Sequence, residues 1–184
     1  MTGAVANMLA CSESTLKFTA IDITGSNFGL DFALNDHNGQ SRSLQDFRGK
    51  IVMMFFGYTQ CPDVCPTSML EMVEIKKLLG KDGDRLQALF VTIDPERDKP
   101  DMLKAYVEAF DPSFLALVPT PEKLAALAKE FKVYYKKVDG PTPTSYTMDH
   151  TAGSYVYDAQ GKLRLFVRYG TSAALTASDL RQLL

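Results

Sequence analysis

Residues 51–66 read Ile51-Val52-Met53-Met54-Phe55-Phe56-Gly57-Tyr58-Thr59-Gln60-Cys61-Pro62-Asp63-Val64-Cys65-Pro66. The first six are apolar at every position, the pattern of a central strand buried on both faces. Pro66 lacks an amide hydrogen and is tolerated only in the first turn of a helix, so a helix is expected from about Pro66 to Leu79. Cys61 and Cys65 therefore stand between the carboxyl end of a buried strand and a helix N-terminus. Open α/β sheets place ligand sites at that edge. The partial positive charge and free N–H groups of the helix start favour thiolate over thiol. A spacing of four lets the two sulfurs converge across one turn, to form a disulfide or to clamp one soft cation. Two prolines and Asp63 beside the sulfurs make a surface turn rather than a buried, inert pair.

Upstream, Phe28 to Leu34 alternates weakly with Phe32 and Leu34 on one face, and residues 35–39 form a dense turn signal that puts His37 in a solvated turn. Residues 43–47 read as a short helical turn ending at Gly49. Downstream, Leu86 to Ile93 is a second strong strand. Asp94-Pro95-Glu96-Arg97-Asp98 is a polar loop on the same edge as the cysteines, read as a turn satisfied by its own ion pairs, with an electrostatic docking surface as the alternative. Pro100 opens a helix through Phe110. Leu115 to Val118 is a short strand, and Thr120-Pro121 caps and starts a helix to about Phe131. Val133 to Val138 is expected to be extended and residues 139–152 a long loop. Residues 154–157 and 163–168 read as a β-hairpin, followed by a terminal helix capped by Thr176 or Ser178. Strands alternating with helices, closed by an antiparallel hairpin and a last helix, predict an α/β thioredoxin-like fold: a central mixed sheet flanked by helices.

The chain has 184 residues, 46% hydrophobic and 23% charged, with a formal charge of −2. This suits one core-bearing domain, here 28–184, preceded by a tail over 1–27 that includes a possible added strand. It gives no reason to expect a nucleic-acid surface. No apolar run reaches the ~20 residues of a membrane-spanning helix. Met8-Leu9-Ala10-Cys11 looks like the end of a bacterial lipoprotein signal, which makes Cys11 a candidate lipid anchor, although residues 1–10 lack the basic start and long apolar region of a full signal.

Two cysteines alone do not choose between redox chemistry and metal binding; a third ligand would. His150, in Met148-Asp149-His150-Thr151, precedes the hairpin strand that neighbours the cysteine strand in such a fold, where a thiol oxidoreductase usually has a cis-proline; Pro141 and Pro143 are too far upstream. Read from the residues, His150 is either an ordinary loop histidine or the third donor of a soft Cys–Cys–His set suited to copper. Asp149 is a candidate partner for orienting its ring, and Asp63 a candidate for tuning the thiols. Met53, Met54, Met69 and Met72 are expected in the core, with Met148 the one methionine close to the site.

Three ordered blocks resemble the Sco/SenC family: residues 56–66, residues 92–98, and Asp149-His150 followed by Tyr155 and Asp158. The resemblance covers the chain from about Phe28 to Tyr169. It implies a thioredoxin-like, membrane-tethered protein on the periplasmic side of the bacterial inner membrane that binds copper through Cys61, Cys65 and His150. It implies a metallochaperone assisting assembly of the binuclear copper centre of cytochrome c oxidase. Its partners would be the copper-bearing oxidase subunit or another copper chaperone, and the chain itself is expected to be a monomer. The alternative is a dedicated thiol–disulfide oxidoreductase acting on the cysteines of a copper-site protein, with Cys61 and Cys65 as the redox pair. A peroxide-reducing enzyme is a third reading, disfavoured because the proline–threonine pattern around a peroxidatic cysteine is absent.

Overall fold

The structure, a computed structural model, describes residues 16–142 and 145–184. Cys11 lies outside them. Along the chain the elements are β1 (Ile21–Asp22), β2 (Leu34–Asp36), β3 (Ser41–Arg42), a 3-10 turn (Leu44–Phe47), β4 (Ile51–Gly57), α1 (Val64–Leu78), a second 3-10 turn (Gly80–Arg85) and β5 (Leu86–Thr92). There follow α2 (Pro100–Glu108), β6 (Leu115–Val118), α3 (Pro121–Glu130), β7 (Tyr135–Thr142), β8 (Ser145–His150), β9 (Gly153–Tyr157), β10 (Leu163–Arg168) and α4 (Ala173–Arg181).

The main sheet has eight strands in the order β1-β10-β9-β4-β5-β6-β2-β3. β4, β5 and β6 run parallel; β9 joins β4 antiparallel, and β2 joins β6 antiparallel. This is the expected mixed sheet flanked by helices, a thioredoxin-like arrangement. β4 and β5 are buried along their whole length, which is why their sequences are apolar without alternation. Successive side chains still point to opposite faces. Phe55 lies beside Phe90, and Phe90 packs on Tyr106 of α2. Phe56 faces the other way, onto Phe131 after α3 and Tyr155 of β9. Each fully buried side chain of this kind contributes about 1.5–3 kcal/mol of apolar transfer. Met53, Met54, Met69 and Met72 belong to this core, as their strand and helix positions predicted.

Four details differ from the sequence reading. Residues 139–152 are not a loop: β7 and β8 form a separate two-stranded sheet, with Tyr135 opposite His150 and Lys136 opposite Asp149. Gly140, Pro141 and the polar residues around them hid this hairpin by breaking its alternation. α1 begins at Val64, before Pro66, which still falls within the first turn. The last helix is capped by Ser172, whose side chain accepts from the Leu175 amide, rather than by Thr176 or Ser178. His37 is buried, not solvated, and its Nδ1 accepts from the Ala116 amide at 3.1 Å. Burial pushes its pKa down, the behaviour of a structural histidine.

Candidate metal centre

β4 stops at Gly57 because the chain must pass close to what lies above it. A Cβ at Gly57 would stand 2.7 Å from Cε1 of Phe55, 2.8 Å from Sγ of Cys65 and 3.0 Å from Cε2 of Phe90. Glycine at this position lets the buried Cys65 sulfur sit directly on the strand end. The chain then turns through Thr59 and Gln60, with the Cys61 amide donating to the Tyr58 carbonyl. Asp63 is the N-cap residue of α1 but makes no side-chain cap, and it is exposed. Cys61 is half-buried; Cys65, in the first turn of α1, is fully buried.

The turn is held from below by Asp98. Its carboxylate accepts from the Thr59 amide at 3.1 Å, the Thr59 hydroxyl at 2.6 Å and the Thr92 hydroxyl at 2.6 Å. Burial nevertheless pushes its pKa up. From sequence, residues 94–98 are expected to form a turn satisfied by its own ion pairs. The Asp94–Arg97 ion pair agrees with that, but Asp98 points away from its own loop and supports the cysteine turn.

His150 ends β8. Tyr146 and Met148 are the buried residues of that strand, and His150 shares their face, half-buried. The ring makes edge-on contacts with Phe55, centroids 5.9 Å apart, and with Tyr58 at 6.0 Å. Its Nδ1 lies 3.0 Å from the Thr151 carbonyl. A carbonyl only accepts, so Nδ1 carries the hydrogen and the lone pair of Nε2 is free. Nε2 lies 3.5 Å from the Cys65 sulfur. Thr151, not Asp149, therefore orients the ring. Asp149 is exposed, as expected for adjacent residues of a strand, which point apart.

Sγ of Cys61, Sγ of Cys65 and one nitrogen of His150 all lie within 4.8 Å of one another, and these three form the one such group of candidate ligands among the described residues. His37 is not part of it. The electrostatics of the sulfurs are unequal. The Cys61 pKa falls to about 4, first because the Cys65 thiol donates to it, and further through the backbone N–H groups of Asp63 and Cys65. The Cys65 thiol is pushed up by that same shared proton and by burial. One thiolate is thus present at neutral pH, and a cation entering the site would displace the second proton. Two sulfurs and an imidazole nitrogen form a soft donor set with open faces, which fits copper by type.

Arg97 joins this site to its surroundings. Its Nη1 donates to Gln60 Oε1 at 3.1 Å and to the Tyr146 carbonyl at 2.8 Å. Its guanidinium carbon lies 3.5 Å from the Tyr146 ring centroid. The Tyr146 hydroxyl donates to Asp94 at 2.8 Å. The sequence offered Arg97 and Asp94 as a block but no sign of their partner on β8. Among the described residues no helix is long and apolar enough to cross a membrane.

The chain is 38% identical over 135 residues to the SCO2-like protein of Rickettsia felis, a match covering 73% of this chain and 66% of that protein, so it spans slightly less than two thirds of its relative. The structure of Bradyrhizobium japonicum ScoI with copper bound superposes with a TM-score of 0.76 at 40% identity, covering 84% of this chain and 98% of the other. Yeast Sco1 with copper bound gives a TM-score of 0.76 at 29% identity, covering 85% and 88%. With a family model described as SCO1/SenC matching residues 22–184, the chain belongs to the SCO1/SenC family.

Proposed function

We propose that this protein is a copper-binding metallochaperone that holds copper through Cys61, Cys65 and His150 and assists assembly of the binuclear copper centre of cytochrome c oxidase. The convergence of three soft donors within 4.8 Å at an open sheet edge carries this reading; the copper-bound structures of two similar proteins support it. Copper is cargo here. Cys65 is enclosed, whereas Cys61 and His150 are partly exposed, so an acceptor's ligand would meet the metal on the Cys61–His150 side. The acceptor would be the copper-bearing oxidase subunit or a second copper chaperone. The protein would act as a monomer on the periplasmic side of the inner membrane, tethered there through lipidated Cys11.

His150→Ala is expected to lower copper affinity by at least the ~10–100-fold that loss of a ligand's supporting partner costs, with the far-ultraviolet circular dichroism unchanged. Competition titration of the reduced protein against a chromogenic chelator measures it. Unchanged affinity would remove His150 from the site.

A second reading is favoured by the depressed pKa of Cys61. As a thiol–disulfide oxidoreductase, the Cys61 thiolate would attack a partner's disulfide, releasing one partner thiolate and forming a mixed disulfide. Cys65 would then lose its proton and displace the second partner thiolate, leaving Cys61–Cys65 oxidised and the partner reduced by two electrons. The two roles share one pair of sulfurs, because oxidation removes two of the three copper donors.

A further inference from the structure

His150 stands on a hairpin that the main sheet does not hold. β7 and β8 pair only with each other, and an isolated two-stranded hairpin is marginally stable in water. The chain runs from His150 into β9 of the main sheet at Gly153, which tethers one end of the hairpin; the rest of what places the imidazole over the sulfurs comes from contacts between the hairpin and its surroundings. Arg97 lies at their centre. From the loop after β5 it reaches the cysteine turn through Gln60 and the hairpin through the Tyr146 carbonyl. Its guanidinium covers the Tyr146 ring, which Lys137 also approaches at 3.8 Å, and it stands 5.7 Å from the Tyr58 ring that flanks His150. Asp94 fixes Arg97 by their ion pair and receives the Tyr146 hydroxyl. Nη2 of Arg97 is buried and makes no hydrogen bond among the described residues, a setting in which a cation–ring contact contributes more than at an exposed site. Tyr146 and His150 lie on the same face of one strand, so fixing the first fixes the line of the second.

We propose that Arg97 is a positioning residue for the metal centre: with Asp94 and Tyr146 it latches the β7–β8 hairpin to the cysteine turn and thereby preorganises His150 for copper. The proposal rests on His150 being a copper ligand. Without the latch the hairpin samples positions in which only the two sulfurs are in place, and apparent affinity falls by the fraction of time His150 is available.

The test uses the full chain, reduced, as Arg97→Met and, should that variant fail to fold, Arg97→Lys, which keeps the charge but lacks the planar fork that reaches Asp94 through Nε while Nη1 reaches Gln60 and Tyr146. Hydrogen exchange of the metal-free protein is expected to rise about tenfold or more across residues 145–151 while β4 and β5 keep their protection. Copper affinity is expected to fall about tenfold in the native background and less than about twofold when His150 is already alanine, since the effect passes through that side chain. Unchanged exchange across residues 145–151 overturns the latch, as does an equal loss of affinity in both backgrounds. If His150→Ala alone leaves copper affinity unchanged, the ligand reading fails and with it the preorganising role; the exchange result then shows only whether Arg97 holds the hairpin.

Discussion

At the scale of single residues, the site depends on an asymmetry between two chemically identical side chains. Cys61 is half-buried, at the mouth of the turn, and receives hydrogen bonds; Cys65 is enclosed on Gly57 and keeps the proton. The direction of the Cys61 shift fixes its pH dependence. A thiol with an ordinary pKa gains reactivity steadily as pH rises toward 9. Cys61, with its pKa near 4, is already thiolate across the neutral range. Alkylation of Cys61 by iodoacetamide in the metal-free, reduced protein is therefore expected to be nearly flat between about pH 6 and 8, and to fall only as pH drops toward 4. Mass spectrometry after timed quenching reads this directly, with Cys65 unmodified at early times. A tenfold rise per pH unit over that range would show an unperturbed thiol. The same asymmetry has a consequence for stability. A depressed acid pKa contributes stability above the unfolded value, near 9, that is lost as pH falls toward 4; the raised Cys65 opposes it, so the net effect on folding is smaller than either shift suggests.

At the scale of elements, three segments from different parts of the chain meet at the metal centre: the turn between β4 and α1, the loop after β5, and the β7–β8 hairpin. The first two are joined by Asp98. Replacing it with alanine leaves the buried Thr92 hydroxyl without its acceptor and frees the part-buried Thr59 amide and hydroxyl; an unsatisfied buried group costs about 1–3 kcal/mol. Asp98→Ala is expected to destabilise the protein by about 2–4 kcal/mol in urea denaturation, and to increase exchange of the amides between Tyr58 and Cys61 before other regions open. A loss under about 0.5 kcal/mol, the range of an ordinary surface substitution, would show that Asp98 does not support the turn. How legible these elements were in the sequence follows from their kind. β4, β5 and β6 are read from continuous apolar runs, and α3 from its Thr120-Pro121 start, whose Thr120 side chain accepts from the Lys123 amide. The first half of β7, to Val138, is expected from sequence as extended chain; the rest of β7 and its pairing with β8 are not, because these strands are largely exposed and their turn region carries glycine and prolines. Its stability comes from Tyr146 and Met148 packing against distant residues, which no local pattern displays.

At the scale of the whole molecule, the fold brings Cys61, Cys65 and His150 together across 85 residues of sequence separating Cys65 from His150. Cys61 and Cys65 were legible as a pair from spacing and context. His150 was legible as the third member only through the order of strands and the resemblance of three sequence blocks. The ring's partner was not: Asp149 is next to it in sequence, but the Thr151 carbonyl has the right position in space. Asp98 and Arg97 belong to a block visible in the sequence, yet their partners, Thr59 and Tyr146, are 39 and 49 residues away. Sequence shows which residues carry the chemistry more readily than which residues hold them in place, because the holding contacts are made by the finished fold. The most direct test of the account is X-ray absorption spectroscopy of the reduced protein loaded with one equivalent of Cu(I), alone and as His150→Ala. Two sulfur scatterers and one imidazole nitrogen are expected around copper in the native protein, with the imidazole pattern lost in the variant. A copper bound by two sulfurs alone, with the same spectrum in both proteins, would contradict a site built from Cys61, Cys65 and His150.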